Sequence, residues 1–175
     1  AAITKKKQAK SWSHRVIAPS ISAQLSPETF SKGELDRSAV NGASNLPYEI
    51  PNIHVDYVMT NTKVPVGWWR SVYNSQNAFA NEGFIDELAE AAGKDSFQFR
   101  LDLLKDSPRH MGVLKLAAER AGWGKKLGKN KGMGIAVHES FGSWAAMVAE
   151  VTVGEKGAVK VDKITSAIDC GLVVN

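Results

Sequence analysis

The sequence predicts an α+β fold in which antiparallel or mixed sheets pack with three consecutive helices. Three observations predict it. Between residues 76 and 122 apolar residues recur at helical spacing, punctuated by glycines and one proline. From Gly132 onward the period changes to two, with Gly154-Glu155-Lys156-Gly157 as a hairpin turn between alternating runs. The 175 residues are 43% hydrophobic and 23% charged, which supplies one ordinary core and a polar surface.

Each element has its own signal. Trp12 to Ile21 alternates as a strand that Pro19 ends or confines to an edge. Ser22 to Asn45, rich in Ser, Gly and Asn, is expected to run over the surface. Pro47 and Pro51 then bracket a turn, and Ile53, Val55, Tyr57 and Met59 alternate with His54, Asp56 and Val58 as a strand with one better-buried face. That strand delivers the chain to a stiff loop. Pro65 fixes one φ angle, Gly67 frees the next, and Trp68 and Trp69 stand beside Arg70 before the polar run 71–77 opens a helix.

From Gln76 to Gly93 an apolar stripe of Ala80, Phe84, Leu88, Ala91 and Ala92 opposes an acidic face of Glu82, Asp86, Glu87 and Glu90. Ser75 is placed to cap this helix and Gly93 to end it. Its free backbone N–H groups lie a few residues past Arg70, where an anion can be received. Asp95 and Gln98 form a capping box for a second helix with Phe97, Leu101 and Leu104 as its stripe. A third runs from Ser107, with Pro108 in its first turn, to near Gly122. In the β part Ile135 and Val137 lead one strand, and Ala145, Met147, Ala149, Val151 and Val153 share a face of the next. Val159 and Val161 begin the return; Ile164, Ser166 and Ile168 continue it on the other parity, so a bulge is expected near Lys163.

Several function classes are excluded. One cysteine, Cys170, leaves no internal disulfide and no cysteine-rich zinc or iron–sulfur site, and it reads as a small buried hydrophobe. No apolar run approaches the ~20 residues of a membrane span, the N-terminus lacks a signal-peptide core, and Ala1 reads as an interior position of a longer protein. The formal charge of +4 comes with two lysine clusters, at residues 5–10 and 125–131, without interleaved aromatics; they read as solvated segments, not a nucleic-acid site. His14, His54, His110 and His138 share no ligand spacing, so no metal site is expected. His138 and Glu139 point to opposite faces of a strand, which argues against a triad with Ser140. Gly132-Met133-Gly134 lacks the third glycine and helix of a dinucleotide loop.

Arg70 is the leading candidate. Its planar fork of donors suits a phosphate, a carboxylate or a developing oxyanion; the alternative is a cation–π stack on Trp68 or Trp69 that stiffens an exposed loop. Gln76 is a cofactor neighbour or merely part of the helix start.

Residues 68–95, WWRSVYNSQNAFANEGFIDELAEAAGKD, together with the closing Asp169-Cys170-Gly171-Leu172-Val173-Val174-Asn175, resemble the xanthine dehydrogenase and aldehyde oxidase family. The closer resemblance is to the molybdopterin subunit of isoquinoline 1-oxidoreductase type enzymes, with Ser75, Gln76, Asn77, Ala78 and Phe79 in place. The resemblance implies that residues 1–175 form a single, partial molybdopterin-binding domain: a strand, Arg70-loop and three-helix part to residue 131, and a β-hairpin part over 132–175. It places Trp68, Trp69 and Arg70 at the family's Ala-Phe-Arg positions, so that these three and Gln76 bind a molybdopterin-type molybdenum cofactor and Arg70 orients substrate. It implies a bacterial oxidoreductase, cytoplasmic or periplasmic, that hydroxylates an aldehyde or N-heteroaromatic carbon with oxygen from water. Electrons would leave through iron–sulfur clusters on a partner subunit.

Where the family follows the arginine with Gly-Phe-Gly-Gly-Pro, this chain has Ser71, Val72, Tyr73, Asn74 and Ser75, which argues against purine-like recognition. The family's base glutamate sits in a Gly-x-Gly-Glu motif past the last residue here, and its Gly-Gly-Phe-Gly motif is likewise missing. A non-catalytic scaffold or assembly domain, or an excised fragment, is therefore the alternative. An independent small-molecule enzyme is a third reading, and it would need an acid or base converging on Arg70.

Overall fold

The computed structural model describes residues 1–31 and 33–174. Its strands are β1 (Ala2–Ile3), β2 (Ala9–Ala18), β3 (Asn52–Met59), β4 (Lys131–Ser140), β5 (Ser143–Val153) and β6 (Val159–Asp169). Its α-helices are α1 (Ile21–Leu25), α2 (Asn74–Ala92), α3 (Ser96–Leu103) and α4 (Pro108–Ala121). The α+β class and the mixed sheets match the sequence reading. The chain folds as two compact units: Ala1–Leu46 with Ile50–Gly93, and Pro47–Glu49 with Lys94 onward.

In the first unit β1 pairs antiparallel with β2, and β2 pairs parallel with β3. Parallel neighbours need a crossover connection of a dozen residues or more. Residues 19–51 are that crossover, and this is why they do not simply run over the surface as expected. They carry α1 and bury Ala39, Val40 and Ala43; Val40 and Ala43 pack with Val16 of β2 and with Val55 and Tyr57 of β3. Ile21, read as the end of a strand, instead starts α1, because Ser20 caps that helix through the Ala23 amide. β3 is an edge strand whose middle residues alone are half-buried, so the anticipated alternation along its length is absent.

The second unit sets α4 against one face of an antiparallel sheet ordered β4-β5-β6. Ser107, Pro108 and Gly122 bound α4 as the sequence predicts, with Gly122 left-handed at φ 68°. The register aligns Val137, Ala146 and Ala167, and beside them Ile135, Val148 and Thr165, on the face that α4 covers. Met147, Val153, Val159, Val161, Ile164 and Ile168 lie on the other face and stay exposed. The face shared by Ala145, Met147, Ala149, Val151 and Val153 is thus the open one. The bulge falls at Asp162: Glu150 opposes Lys163 while the next residue, Val151, opposes Val161. Phe141 and Gly142, both at positive φ, make the two-residue turn from β4 to β5.

Two helix stripes differ from their expected phase. In α3 the buried residues are Phe99, Arg100 and Leu103, with Leu104 at its cap, rather than Phe97 and Leu101. Asp95 caps the Gln98 amide at 2.9 Å, but the Gln98 side chain donates forward to Asp102, so only half of the capping box forms. Cys170 is exposed, not buried, because it follows the end of β6 where the chain leaves the sheet. Asn175, the last residue of the closing motif, lies outside the described residues.

Candidate functional site

Three elements of the first unit meet around the loop that carries Arg70: the turn from β2 into α1, the segment 64–73, and the start of α2. α2 begins at Asn74, two residues before the sequence suggests, with Tyr73 as its N-cap residue. Ser75 is therefore inside the first turn, and its hydroxyl donates back to the Val72 carbonyl at 3.1 Å instead of capping an amide. Gly93 ends the helix in the left-handed region as predicted.

The face that α2 buries is the second stripe to differ from its expected phase. Ala80 and Ala91 are exposed, while Asn74, Asn77 and Asn81 are buried on the line that continues to Ile85, Leu88 and Ala92. The amide of Asn77 donates to the Asn41 carbonyl at 2.8 Å and that of Asn81 to the Gly42 carbonyl at 2.6 Å. The Asn81 side-chain oxygen meets His14 Nδ1 at 3.1 Å. Asparagines at positions 74, 77 and 81 share helical spacing, a signal present in the sequence that an apolar periodicity does not register. Glu82, expected on the acidic outer face, is also buried.

Between Trp69 and Tyr73 the backbone turns sharply. Ser71 and Val72 lie at φ 66° and 49°, in the left-handed region that β-branched residues avoid. The Val72 amide donates to the Trp69 carbonyl, and the Asn74 amide to the Ser71 carbonyl, both at 2.9 Å. Ser71 thus takes a glycine-like conformation at the position where the resembled motif has glycine. Tyr73 is buried; its hydroxyl donates to the Pro19 carbonyl at 2.9 Å and accepts from the Ile21 amide at 3.0 Å. Burial, reinforced by Asp36 nearby and only partly offset by the Ile21 amide, pushes its pKa up, so it stays a phenol. Gln24 adds a second tie by accepting from the Val66 amide at 3.0 Å.

Between the loop and the turn lies a half-open cavity of about 350 Å³. Ala18, Pro19 and Ile21 form one wall, Val66 and Trp69 another, and Ser75 and Gln76 contribute polar groups at the helix start. Of the predicted site residues, Trp69 and Gln76 face this cavity, whereas Trp68 and Arg70 do not line it. Trp68 and Trp69 are 64% and 81% exposed, and Phe79 on α2 is 84% exposed. Among the described residues the Arg70 guanidinium is exposed and makes no hydrogen bond, ion pair or ring stack. The alternative reading, a cation–π stack on Trp68 or Trp69, is therefore not formed. Cations do stack elsewhere, Lys94 on Phe99 and Arg109 on Trp144.

This arrangement suits one wall of a large polar ligand. It offers a free guanidinium, an amide and a hydroxyl at a helix start, and exposed indole rings. The described residues contain no group of three or more His, Cys, Asp or Glu side chains able to hold a metal ion. The donors present suit an anionic, hydrogen-bonding group.

Comparison with known proteins agrees with that class. Residues 26–103 match the model of a molybdopterin cofactor-binding domain, a span that ends within α3 and contains the whole Arg70 loop. The chain belongs to the xanthine dehydrogenase family, as part of its molybdopterin-binding subunit. It is 34% identical over 168 residues to a nicotinate dehydrogenase subunit of Pseudomonas putida, an alignment covering 85% of this chain and 13% of that protein. It is 27% identical over 164 residues to the beta subunit of isoquinoline 1-oxidoreductase from Brevundimonas diminuta, covering 91% of this chain and 21% of the relative. A membrane-bound aldehyde dehydrogenase (pyrroloquinoline-quinone) of Gluconacetobacter polyoxogenes is 33% identical over 129 residues, covering 62% and 17%. The chain thus spans less than a quarter of the length of each of these relatives.

Proposed function

We propose that this chain supplies one wall of the molybdenum-cofactor site of an oxidoreductase that hydroxylates an aldehyde or N-heteroaromatic carbon. One observation carries the reading: Arg70 leaves a rigidly built turn with its guanidinium uncommitted, directly before the start of α2. The names of the three relatives, two heterocycle oxidoreductases and an aldehyde dehydrogenase, support the substrate class.

In this reading Arg70, Trp68, Trp69 and Gln76 hold the cofactor, and residues 1–175 are a single, partial domain of the larger protein. When bound, the cofactor supplies acceptance of two electrons. The overall reaction replaces a substrate C–H hydrogen by a hydroxyl from water and releases two protons and two electrons. Arg70 donates its N–H fork to an anionic cofactor group or substrate oxygen, which fixes orientation. The indole rings of Trp68 and Trp69 exclude water around it. Iron–sulfur clusters on a partner subunit would receive the electrons; two relatives are themselves named as subunits, which fits a multi-subunit enzyme.

The test is metal and pterin content. The chain, purified from a host that makes the cofactor, should carry molybdenum and pterin fluorescence, and Arg70→Ala should reduce both at least about tenfold, as expected for losing a charge-assisted contact of about 1.5–3 kcal/mol. Equal content in both proteins would refute the role of Arg70.

A further inference from the structure

Tyr73 ties the Arg70 loop to the rest of its unit by one hydroxyl. The loop changes direction through two consecutive left-handed residues, Ser71 and Val72, neither of them glycine. Such a turn persists only where its surroundings over-determine it. The next residue is Tyr73, whose ring packs with Ile21 and Ala39 and, at the edge of that cluster, Val66 and Val72. Its hydroxyl is doubly engaged, donating to the Pro19 carbonyl and accepting from the Ile21 amide. Those two groups stand on the opposite wall of the cavity.

The opposite wall is itself fixed from below. Ser20, between the two groups Tyr73 touches, donates its hydroxyl to the buried Asp36 at 2.6 Å, and Asp36 also accepts from the Ser38 amide and hydroxyl. Tyr57 on β3 donates its hydroxyl to the Ala18 carbonyl at 2.9 Å. Residues 18–21 are thus a fixed anchor, and Tyr73 alone among these groups belongs to the loop side.

We propose that Tyr73 is a positioning residue: its hydroxyl, anchored on Pro19 and Ile21, sets the conformation of residues 69–72 and so the direction in which Arg70 presents its guanidinium. The functional half of this inference rests on the cofactor reading above; the conformational half does not. Tyr57→Phe is a matched control. It removes another inward hydroxyl bound to a carbonyl of the same anchor, one residue away, but on β3 rather than on the loop.

Amide hydrogen exchange and cofactor content are measured on the 175-residue chain and on Tyr73→Phe, Tyr57→Phe and Arg70→Ala. The expected result is exchange at the Val72 and Asn74 amides at least about tenfold faster in Tyr73→Phe only. Molybdenum and pterin content should fall in Tyr73→Phe as in Arg70→Ala and be kept in Tyr57→Phe. Equal exchange changes in the two tyrosine variants would make the hydroxyl merely structural and overturn the proposal. Faster exchange with cofactor retained in Tyr73→Phe but lost in Arg70→Ala would overturn the functional half alone. Faster exchange with cofactor unaffected in every variant would uphold the loop anchor and overturn the cofactor reading. Should Tyr73→Phe fail to fold, Ile21→Pro at the first position of α1 removes the amide that the hydroxyl accepts from, and Ile21→Ala, which keeps that amide but loses the same packing against Tyr73, is its control; faster exchange in Ile21→Pro than in Ile21→Ala is expected, and equal exchange would overturn the proposal.

Discussion

At the scale of single residues, side chains with the same sequence appearance divide into committed and uncommitted groups. Arg70 and Arg109 are both arginines next to aromatic residues in space or sequence. Arg109 stacks on Trp144, 3.5 Å from the ring centroid, and holds Asp169 through two bonds of 2.6 and 2.7 Å, which pulls the Asp169 pKa down to about 2. Arg70 has no such partner among the described residues, and that difference, invisible in sequence, is what leaves it available for binding. Cys170 shows the opposite mismatch: its residue type favours burial, but its place just after β6 exposes it.

His110 yields a pH prediction. Trp144 Nε1 donates to His110 Nδ1 at 3.1 Å, so Nδ1 must be unprotonated, and burial pushes the pKa down to about 4. Burial also lowers that of His138, while Glu139 opposes both shifts. Between pH 4 and 6.5 the unfolded chain takes up a proton that the folded chain refuses, so stability falls as pH drops through this window. Thermal midpoints measured from about pH 7 to 4 should decline, and His110→Gln, which keeps an acceptor but cannot titrate, should flatten the decline. An unchanged profile in the variant would assign the effect to other groups.

At the scale of elements, boundaries set by local backbone chemistry were legible in the sequence. Gly93, Gly122, Pro108, the turn at 154–157 and the bulge near Lys163 all stand where their residue types require. Phase was less legible. The buried line of α2 begins with three asparagines because it faces loop carbonyls at Asn41 and Gly42, and a loop's unpaired carbonyls cannot be anticipated without the crossover that places them. In β5 both parities are apolar from Trp144 to Val148, so the pattern there does not say which one α4 covers. Asn81→Leu preserves the helix but leaves the Gly42 carbonyl and His14 without their partner. It should cost about 1–3 kcal/mol in urea unfolding, whereas Ala80→Leu on the exposed face should cost under about 0.5 kcal/mol. Equal costs would show that the asparagine line is not the buried one.

At the scale of the whole molecule, the division into two units was not visible from composition or period, because Pro47–Glu49 belongs with the segment that starts at Lys94. Glu49 attaches it through both backbone and side chain: its amide donates to the Leu103 carbonyl at 2.8 Å, and its carboxylate accepts from the Asp106 amide. The second unit presents a sheet face with Val159, Val161, Ile164 and Ile168 all more than half exposed. Three strands of about ten residues give that face about 500 Å², at the upper end of what a monomeric surface normally shows. The purified chain should therefore self-associate with rising concentration, and Ile164→Lys with Ile168→Lys should abolish this in sedimentation velocity without lowering the thermal midpoint. Association that persists in the double variant would place the contact elsewhere.

The most direct measurement is the molybdenum and pterin content of the purified chain from a cofactor-producing host, with Arg70→Ala alongside. Cofactor retained by the parent chain and lost from a folded Arg70→Ala protein is the predicted result. A parent chain that carries no molybdenum or pterin, or an Arg70→Ala protein that carries as much, would contradict a cofactor site at the Arg70 loop.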